Sequence, residues 1–154
     1  MGGWIERLGL EPHPEGGYFR RIYTSPRVHP TPQGERALAT SIYYLLDRDQ
    51  PLGRLHRNRS DILHYLLDGG PVEYVLLGED GVLRRERLDV SSRFLAVPGG
   101  CWKASHLVEG AARALVAEVV TPGFDYADHE FCDAARLGRE HPALLETLRP
   151  FLKV

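Results

Sequence analysis

The sequence predicts a mainly β fold, an antiparallel sandwich or barrel with short helices near its two ends, and three observations carry that expectation. Short apolar segments follow one another along most of the chain, at 37–46, 55–57, 62–67, 72–77, 82–88, 93–97, 101–107 and 112–120. Runs of this length and spacing suit an all-β domain. Turn residues stand between them: Asp68-Gly69-Gly70-Pro71, Glu79-Asp80-Gly81 and Pro98-Gly99-Gly100 each place Gly where a chain reversal wants positive φ. Strands alternating with long helices, the mark of a parallel α/β sheet, are missing from the pattern.

In chain order, Trp4 to Leu10 predicts one short helix with Trp4, Ile5 and Leu8 on a common side. Pro12 and Pro14 end it, because they have no amide to donate and clash with a preceding turn. Glu15-Gly16-Gly17 reads as a tight turn, and Tyr18 to Thr24, rich in aromatic and β-branched side chains, as the first strand. From Ser25 to Gly34 the chain carries Pro26, Pro30, Pro32 and Gly34, too broken for regular structure, and is expected to be a lid or an arm between subunits. After the strand series and Thr121-Pro122-Gly123, the stretches Glu130–Leu137 and Pro142–Leu148 have helical spacing, with Leu144, Leu145 and Leu148 on one stripe. The expected organisation is one domain over 1–154, with a barrel over about 12–126 and helices over about 128–150 packed outside it.

A chain of 154 residues can bury roughly 68–70% of the surface its unfolded form exposes, enough for one core. Its 43% hydrophobic and 26% charged residues match an ordinary globular protein. The 19 Lys and Arg and 21 Asp and Glu are scattered, giving a net charge of −2 without the one-sided basic footprint of a nucleic-acid binder. Cys101 and Cys132 lie far apart with no CxxC pair, which argues against a disulfide framework or a structural zinc site. No segment approaches the roughly 20 apolar residues of a membrane span, and Met1 to Arg7 lacks the apolar run of a signal peptide. The expected location is the cytoplasm, with neither nucleic acid nor membrane as partner.

The side chains able to do chemistry are His13, Glu15, Tyr18, Tyr43, Tyr44, His56, Asp61, His64, Tyr65, Trp102 and His106, all on predicted strands or Gly/Pro turns. The mouth of a β-barrel holds polar ligands among such groups. His56 and His64 can project from neighbouring strands toward one point, and two imidazoles with a carboxylate begin a metal site. No further ligand stands at a fixed spacing, and HExxH, G-x-S-x-G and phosphate-loop motifs are missing. Acid–base chemistry remains: imidazole titrates near neutral pH and a positioned phenol can stabilise an enolate, which makes His56, His64 and Tyr44 the candidate catalytic groups.

Five pieces carry a family resemblance: His13-Pro14-Glu15-Gly16-Gly17-Tyr18-Phe19-Arg20, Ser41-Ile42-Tyr43-Tyr44-Leu45-Leu46, His56-Arg57 with Ser60-Asp61, Val97-Pro98-Gly99-Gly100-Cys101-Trp102, and Thr121-Pro122-Gly123-Phe124-Asp125-Tyr126. In these the sequence resembles a small family of cupins once catalogued as a domain of unknown function, within the superfamily of germin-like and sugar-epimerase-like barrels. The resemblance implies a double-stranded β-helix (jelly-roll) barrel, a homodimer, and a pocket formed by the HPEGG loop, the HR/SD segment and the Trp strand. It points to His13, Glu15, Gly17, Tyr18, Tyr43, Ser60, Asp61, Trp102 and Phe124 as ligand-binding, with Trp102 as a stacking face. Two departures matter. Ile62 stands where the family usually has Glu, and Trp102-Lys103 fills the slot where metal-dependent cupins have a His, with His106 close but out of register. His64 is either a pocket residue or a displaced one, depending on a one-residue gap.

The expected function is therefore a metal-independent cupin, with no cofactor, that binds a small polar metabolite such as a sugar or sugar-nucleotide derivative. An epimerase or isomerase using His/Tyr acid–base chemistry is the first alternative. A metal-dependent enzyme built on His56 and His64 is the second.

Overall fold

A strand turns successive side chains to opposite faces, so the parity of each strand decides which residues meet inside. The computed structural model describes residues 3–153. Helix α1 (Trp4–Leu8) precedes strands β1 (Glu11–Pro12), β2 (Tyr18–Thr24), β3 (Val28–Thr31), β4 (Gly34–Ala37), β5 (Thr40–Asp47), β6 (Leu52–Asn58) and β7 (Asp61–Gly69). There follow β8 (Val72–Leu77), β9 (Leu83–Leu88), β10 (Phe94–Val97), β11 (Trp102–Leu107), β12 (Arg113–Thr121) and β13 (His129–Phe131), then α2 (Ala134–Glu140) and α3 (Leu145–Leu148). The strands form one sheet in the order β1-β2-β5-β12-β7-β10 and another in the order β13-β6-β11-β8-β9, all pairs antiparallel. This is the expected jelly-roll barrel.

Three apolar clusters follow from strand parity. Tyr44, Leu46, Leu66, Val72, Tyr74, Leu76, Val97, Leu107 and Val116 fill one end of the space between the sheets. Leu55, Val75, Leu77, Trp102 and Ala104, of opposite parity, face outward and are covered by Leu137, Leu148, Phe151 and Leu152 of the C-terminal segment. On the other sheet Leu45 and Leu115 face outward beneath Trp4, Ile5 and Leu8 of α1. Beyond the first cluster the inward positions include a group of polar side chains beside Ile62 and Val120. There His56, Asn58, His64, Lys103, Ser105 and Glu118 are all buried.

The Pro-rich stretch after Ser25 is not the irregular loop that its composition suggests. It folds as the hairpin β3–β4, with His29 opposite Arg36 and Pro30 opposite Glu35. A two-stranded ribbon consists of edges, so Pro30 forfeits no obligatory ladder bond there. Thr31 Oγ1 secures the reversal by accepting from the Gln33 amide at 3.3 Å and donating to the Gly34 carbonyl at 2.6 Å. The predicted helix from Glu130 to Leu137 is also displaced. Residues His129–Phe131 add a short strand to the edge of β6, and the helix begins at Ala134, where Asp133 caps it by accepting from the Arg136 amide at 2.8 Å. No helix among the described residues is long and apolar enough to cross a membrane.

Candidate functional site

The HPEGG segment is wound into a loop that drives one carboxylate into the barrel. The His13 amide donates to the Gly17 carbonyl at 2.9 Å, the Gly16 amide to the His13 carbonyl at 3.0 Å, and the Arg54 amide to the Glu15 carbonyl at 2.6 Å. His13 Nδ1 accepts from the Glu15 amide at 3.0 Å, which leaves the ring hydrogen on Nε2. Burial lowers the pKa of His13, in keeping with a neutral ring. From beneath, Tyr44 donates its hydroxyl to the Gly16 carbonyl at 2.6 Å. Gly17 must be glycine: its φ is +76°, and a Cβ would stand 2.7 Å from Tyr44 Oη and 2.8 Å from the Leu45 carbonyl oxygen.

Glu15 meets His56 across this loop, with Oε2 2.9 Å from Nε2. The other nitrogen, Nδ1, lies 2.6 Å from the Arg54 carbonyl and donates to it. Nε2 and Oε2 would then both be acceptors, so a hydrogen or another cation must stand between them. Burial by itself pushes Glu15 up, but the nearby His56, with His13 behind it, holds its carboxyl well below the usual carboxylate range. His129 closes the group from β13. Its Nε2 is 3.9 Å from Glu15 Oε2, too far for a hydrogen bond, and is buried with no partner among the described residues.

A second buried group lies deeper. Lys103 Nζ donates to Glu118 Oε1 at 3.1 Å and to His64 Nε2 at 2.8 Å, while His64 Nδ1 donates to the Leu95 carbonyl at 3.1 Å. Burial first, then the Lys103 charge, push the pKa of His64 down to about 3. Burial favours protonation of Glu118, but Lys103 outweighs it and keeps the carboxyl ionised. The triad is thus a neutral imidazole beside a closed ion pair.

Glu15, His56 and Glu118, together with Phe19, Ile42, Ile62, Val120, Phe124 and Tyr126, line a cavity of about 260 Å³, with Arg21, Asn58 and His13 also in its lining. Arg21 sits over Phe124 with 5.9 Å between guanidinium carbon and ring centroid, so an anion-binding group stands beside an apolar wall. A wider groove lined by Arg57, Asn58, Arg59, Asp128 and His129 adjoins it on the far side of Asn58.

Of the residues expected from the sequence, His13, Glu15, His56 and Phe124 line the cavity. Others fall outside it for reasons of parity. Tyr18 and Tyr43 face outward beside α1, and Trp102 lies under the C-terminal helices, flanked by Arg57 at 4.3 Å and Arg136 at 5.0 Å. Asp61 is exposed and accepts from the Gly99 amide at 2.9 Å. Ser60 sits in a separate crevice with Arg59 and Pro122. Tyr44 and Gly17 shape the loop from below. His64 is inward but fully buried, and both its nitrogens are occupied, so the alternative of a metal pair built on His56 and His64 has no support in this arrangement. Tyr65 faces outward against Phe94, and His106 lies by Glu73 at 3.5 Å.

The residues missed by sequence reasoning were Arg21, Asn58, Lys103, Glu118 and His129. Two carried a signal: Glu118 is the only charge in Ala114 to Val120, and Lys103 is one of only two lysines in the chain, set in an apolar strand. Asn58 follows from His56 by parity once β6 is extended to its observed end.

With this geometry in hand, the family profile described as "Cupin superfamily (DUF985)" matches residues 3–132. The chain belongs to the cupin superfamily. This cupin is 38% identical over 140 residues to Uncharacterized protein YML079W of Saccharomyces cerevisiae, a match covering 77% of this chain and 68% of the yeast protein. It is similar to a solved structure of a hypothetical protein from Leishmania major, with a TM-score of 0.91, 30% identity, and coverage of 98% of this chain and 97% of that one. Oxalate decarboxylase from Bacillus subtilis shares the fold alone, with a TM-score of 0.59 and 15% identity, this cupin covering 36% of that chain.

Proposed function

We propose that this cupin captures a small polar metabolite in the cavity between Glu15, His56 and Phe124, and that capture itself needs no metal ion. The observation behind this reading is the lining: two buried carboxylates, two imidazoles and Arg21 among apolar side chains. Such a site suits a hydroxylated or carbonyl-bearing ligand, which would use the polar groups for orientation and the walls for burial. At about 260 Å³ the space falls below the roughly 300–1,000 Å³ of drug-sized sites, which favours a single-ring metabolite such as a sugar. A sugar nucleotide would have to leave its nucleotide outside. Thermal melting in EDTA against keto sugars, polyols and hydroxy acids tests the proposal. A true ligand should stabilise the protein by about 2.7 kcal/mol at a hundredfold excess over Kd, and His56→Ala should abolish the gain. The absence of any stabilising compound, together with no co-purified metabolite in native mass spectrometry, would overturn it.

One observation favours turnover by proton transfer as a second reading. Glu15 lines the cavity with its Oε2 2.9 Å from His56 Nε2, so a proton taken up by the carboxylate can be shared with the imidazole. The Glu15–His56 pair would remove a proton beside a substrate carbonyl, as an epimerase or isomerase requires. Tyr44 is a poor counterpart: its hydroxyl is committed to Gly16, and burial, then the charge of Glu15, drive its pKa well above 10. Solvent deuterium should enter a bound keto sugar next to its carbonyl, and Glu15→Gln should suppress the exchange.

A further inference from the structure

We infer that Glu15, His56 and His129 form a seat for one divalent transition-metal ion, a capability separate from metal-free ligand capture. Their donor atoms, one per residue, lie within 4.8 Å of one another. They come from three stretches of chain with no sequence spacing in common: the HPEGG loop, β6 and β13. A proton on His56 Nε2 would account for its contact with Glu15, but it leaves His129 Nε2 without a partner among the described residues. The one buried ammonium nearby, Lys103, is already committed to Glu118 and His64.

The decisive atom is His129 Nε2. The ring is 6% exposed, and the nitrogen has no hydrogen-bond partner among the described residues. A buried polar atom left this way costs about 1–3 kcal/mol, so its place in the structure calls for a partner. A cation shared with Glu15 and His56 is such a partner. His56 is prepared for the same role: its Nδ1 donates to the Arg54 carbonyl, which fixes the tautomer and leaves the Nε2 lone pair turned toward Glu15, the outer-shell support that ligating histidines have.

Distances agree with one ion of this class. Bonds of about 2.0–2.2 Å at angles between octahedral and tetrahedral separate neighbouring donors by roughly 2.9–3.4 Å. Glu15 Oε2 is 2.9 Å from His56 Nε2 and 3.9 Å from His129 Nε2, with all three donors within 4.8 Å of one another, so the first pair is already at ligand spacing and His129 has to draw in to complete the seat. The two imidazole centroids are 5.2 Å apart, against roughly 5 Å for two histidines on a single tetrahedral ion. Two imidazoles and one carboxylate favour Zn²⁺, Co²⁺ or Fe²⁺ over the oxygen-seeking Ca²⁺ and Mg²⁺ and leave coordination positions open. The seat keeps His56, the one residue here that fits the first motif of metal-dependent cupins, but Ile62 and the Trp102-Lys103 slot take no part in it, and Glu15 and His129 come from other stretches of chain.

Cobalt titration of untagged, EDTA-treated protein tests the seat without any small-molecule ligand. Visible d–d absorption should saturate at one Co²⁺ per chain, and one Zn²⁺ should displace it. His129→Phe should weaken Co²⁺ binding about a hundredfold or more while the metal-free variant melts no lower than the parent, since the orphaned nitrogen has gone. His106→Gln, at the barrel's exterior, should bind as the parent does. Binding below one equivalent with saturating cobalt, or unchanged affinity in His129→Phe, would overturn the inference. Either result would leave the ligand-capture reading intact, because that reading is measured in EDTA.

Discussion

Replacing Lys103 by Met removes a cation that faces two buried groups, and its consequences can be worked out from the contacts. The ammonium holds Glu118 at 3.1 Å and His64 at 2.8 Å, with all three side chains 6% exposed or less. Methionine preserves the volume of the stem and its apolar packing, so the loss is mainly electrostatic. Breaking a buried pair by removing one partner costs about 3–5 kcal/mol, since a charge is left unpaired in the interior. For a chain of this size each kcal/mol shifts Tm by roughly 2–4 °C, so Tm should fall by about 6–20 °C at neutral pH. The loss should also depend on pH. In the parent, Lys103 keeps Glu118 below the usual carboxylate range, a contribution present above that range and lost as pH falls through the lowered value. In the variant the Lys103 charge is gone, and burial with the charge of Glu15 raises Glu118, so acidification protonates it and the gap between the two proteins narrows. Near-UV circular dichroism melts at several pH values measure this directly. Adding Glu118→Gln to Lys103→Met should recover much of the stability, because the charge left stranded is removed with its partner. A single variant that loses less than about 1 kcal/mol, or a double variant no more stable than the single, would refute the account of the triad as a closed ion pair.

Three further outcomes follow from the same contacts. His64 titrates near 3 when folded, so the stability it contributes is complete above its ordinary value of about 6.5 and is lost as pH falls toward 3. Near pH 5 that loss is about 2 kcal/mol at 1.36 kcal/mol per unit, and urea titrations should show a flatter pH dependence in His64→Gln. Gly17→Ala places a Cβ 2.7 Å from Tyr44 Oη in a left-handed backbone; it should cost more than about 1 kcal/mol in chemical denaturation, and ligand-induced stabilisation should fall with it. Trp102→Ala should cost about 3–5 kcal/mol because the ring is 3% exposed beneath the C-terminal helices. The milder Trp102→Phe should leave ligand affinity unchanged in calorimetry, whereas a stacking role in the cavity would weaken it.

Strand spacing and glycine turns were enough to expose the barrel, because alternating hydrophobicity is a local property of the chain. Tyr18 to Thr24 and Val72 to Leu77 coincide with their strands. The hairpin at β3–β4 was hidden because proline forbids a strand only when its missing amide is needed, and a free edge does not need it. The site was legible only where a motif places its side chain inward, as with Glu15 and His56. Adjacent pairs were harder: Tyr43 and Tyr44 cannot share a face, nor can Trp102 and Lys103, and in each pair composition favoured the conspicuous aromatic without saying which member faced inward. His129 was beyond reach, since its stretch has helical spacing and becomes a strand only because β6 offers it an open edge.

That late addition has a consequence for when the site comes into being. Glu15 lies near the start of the chain and His129 near its end, and β13 joins the sheet only by pairing with β6. Contacts between distant stretches contribute only after the loop between them has been closed. A chain still emerging from synthesis, or one whose C-terminal segment has come loose, would have most of the barrel and an incomplete set of donors. Occupancy by anything that needs all three side chains would therefore be selective for the finished molecule, and it would act as a latch on the C-terminal segment.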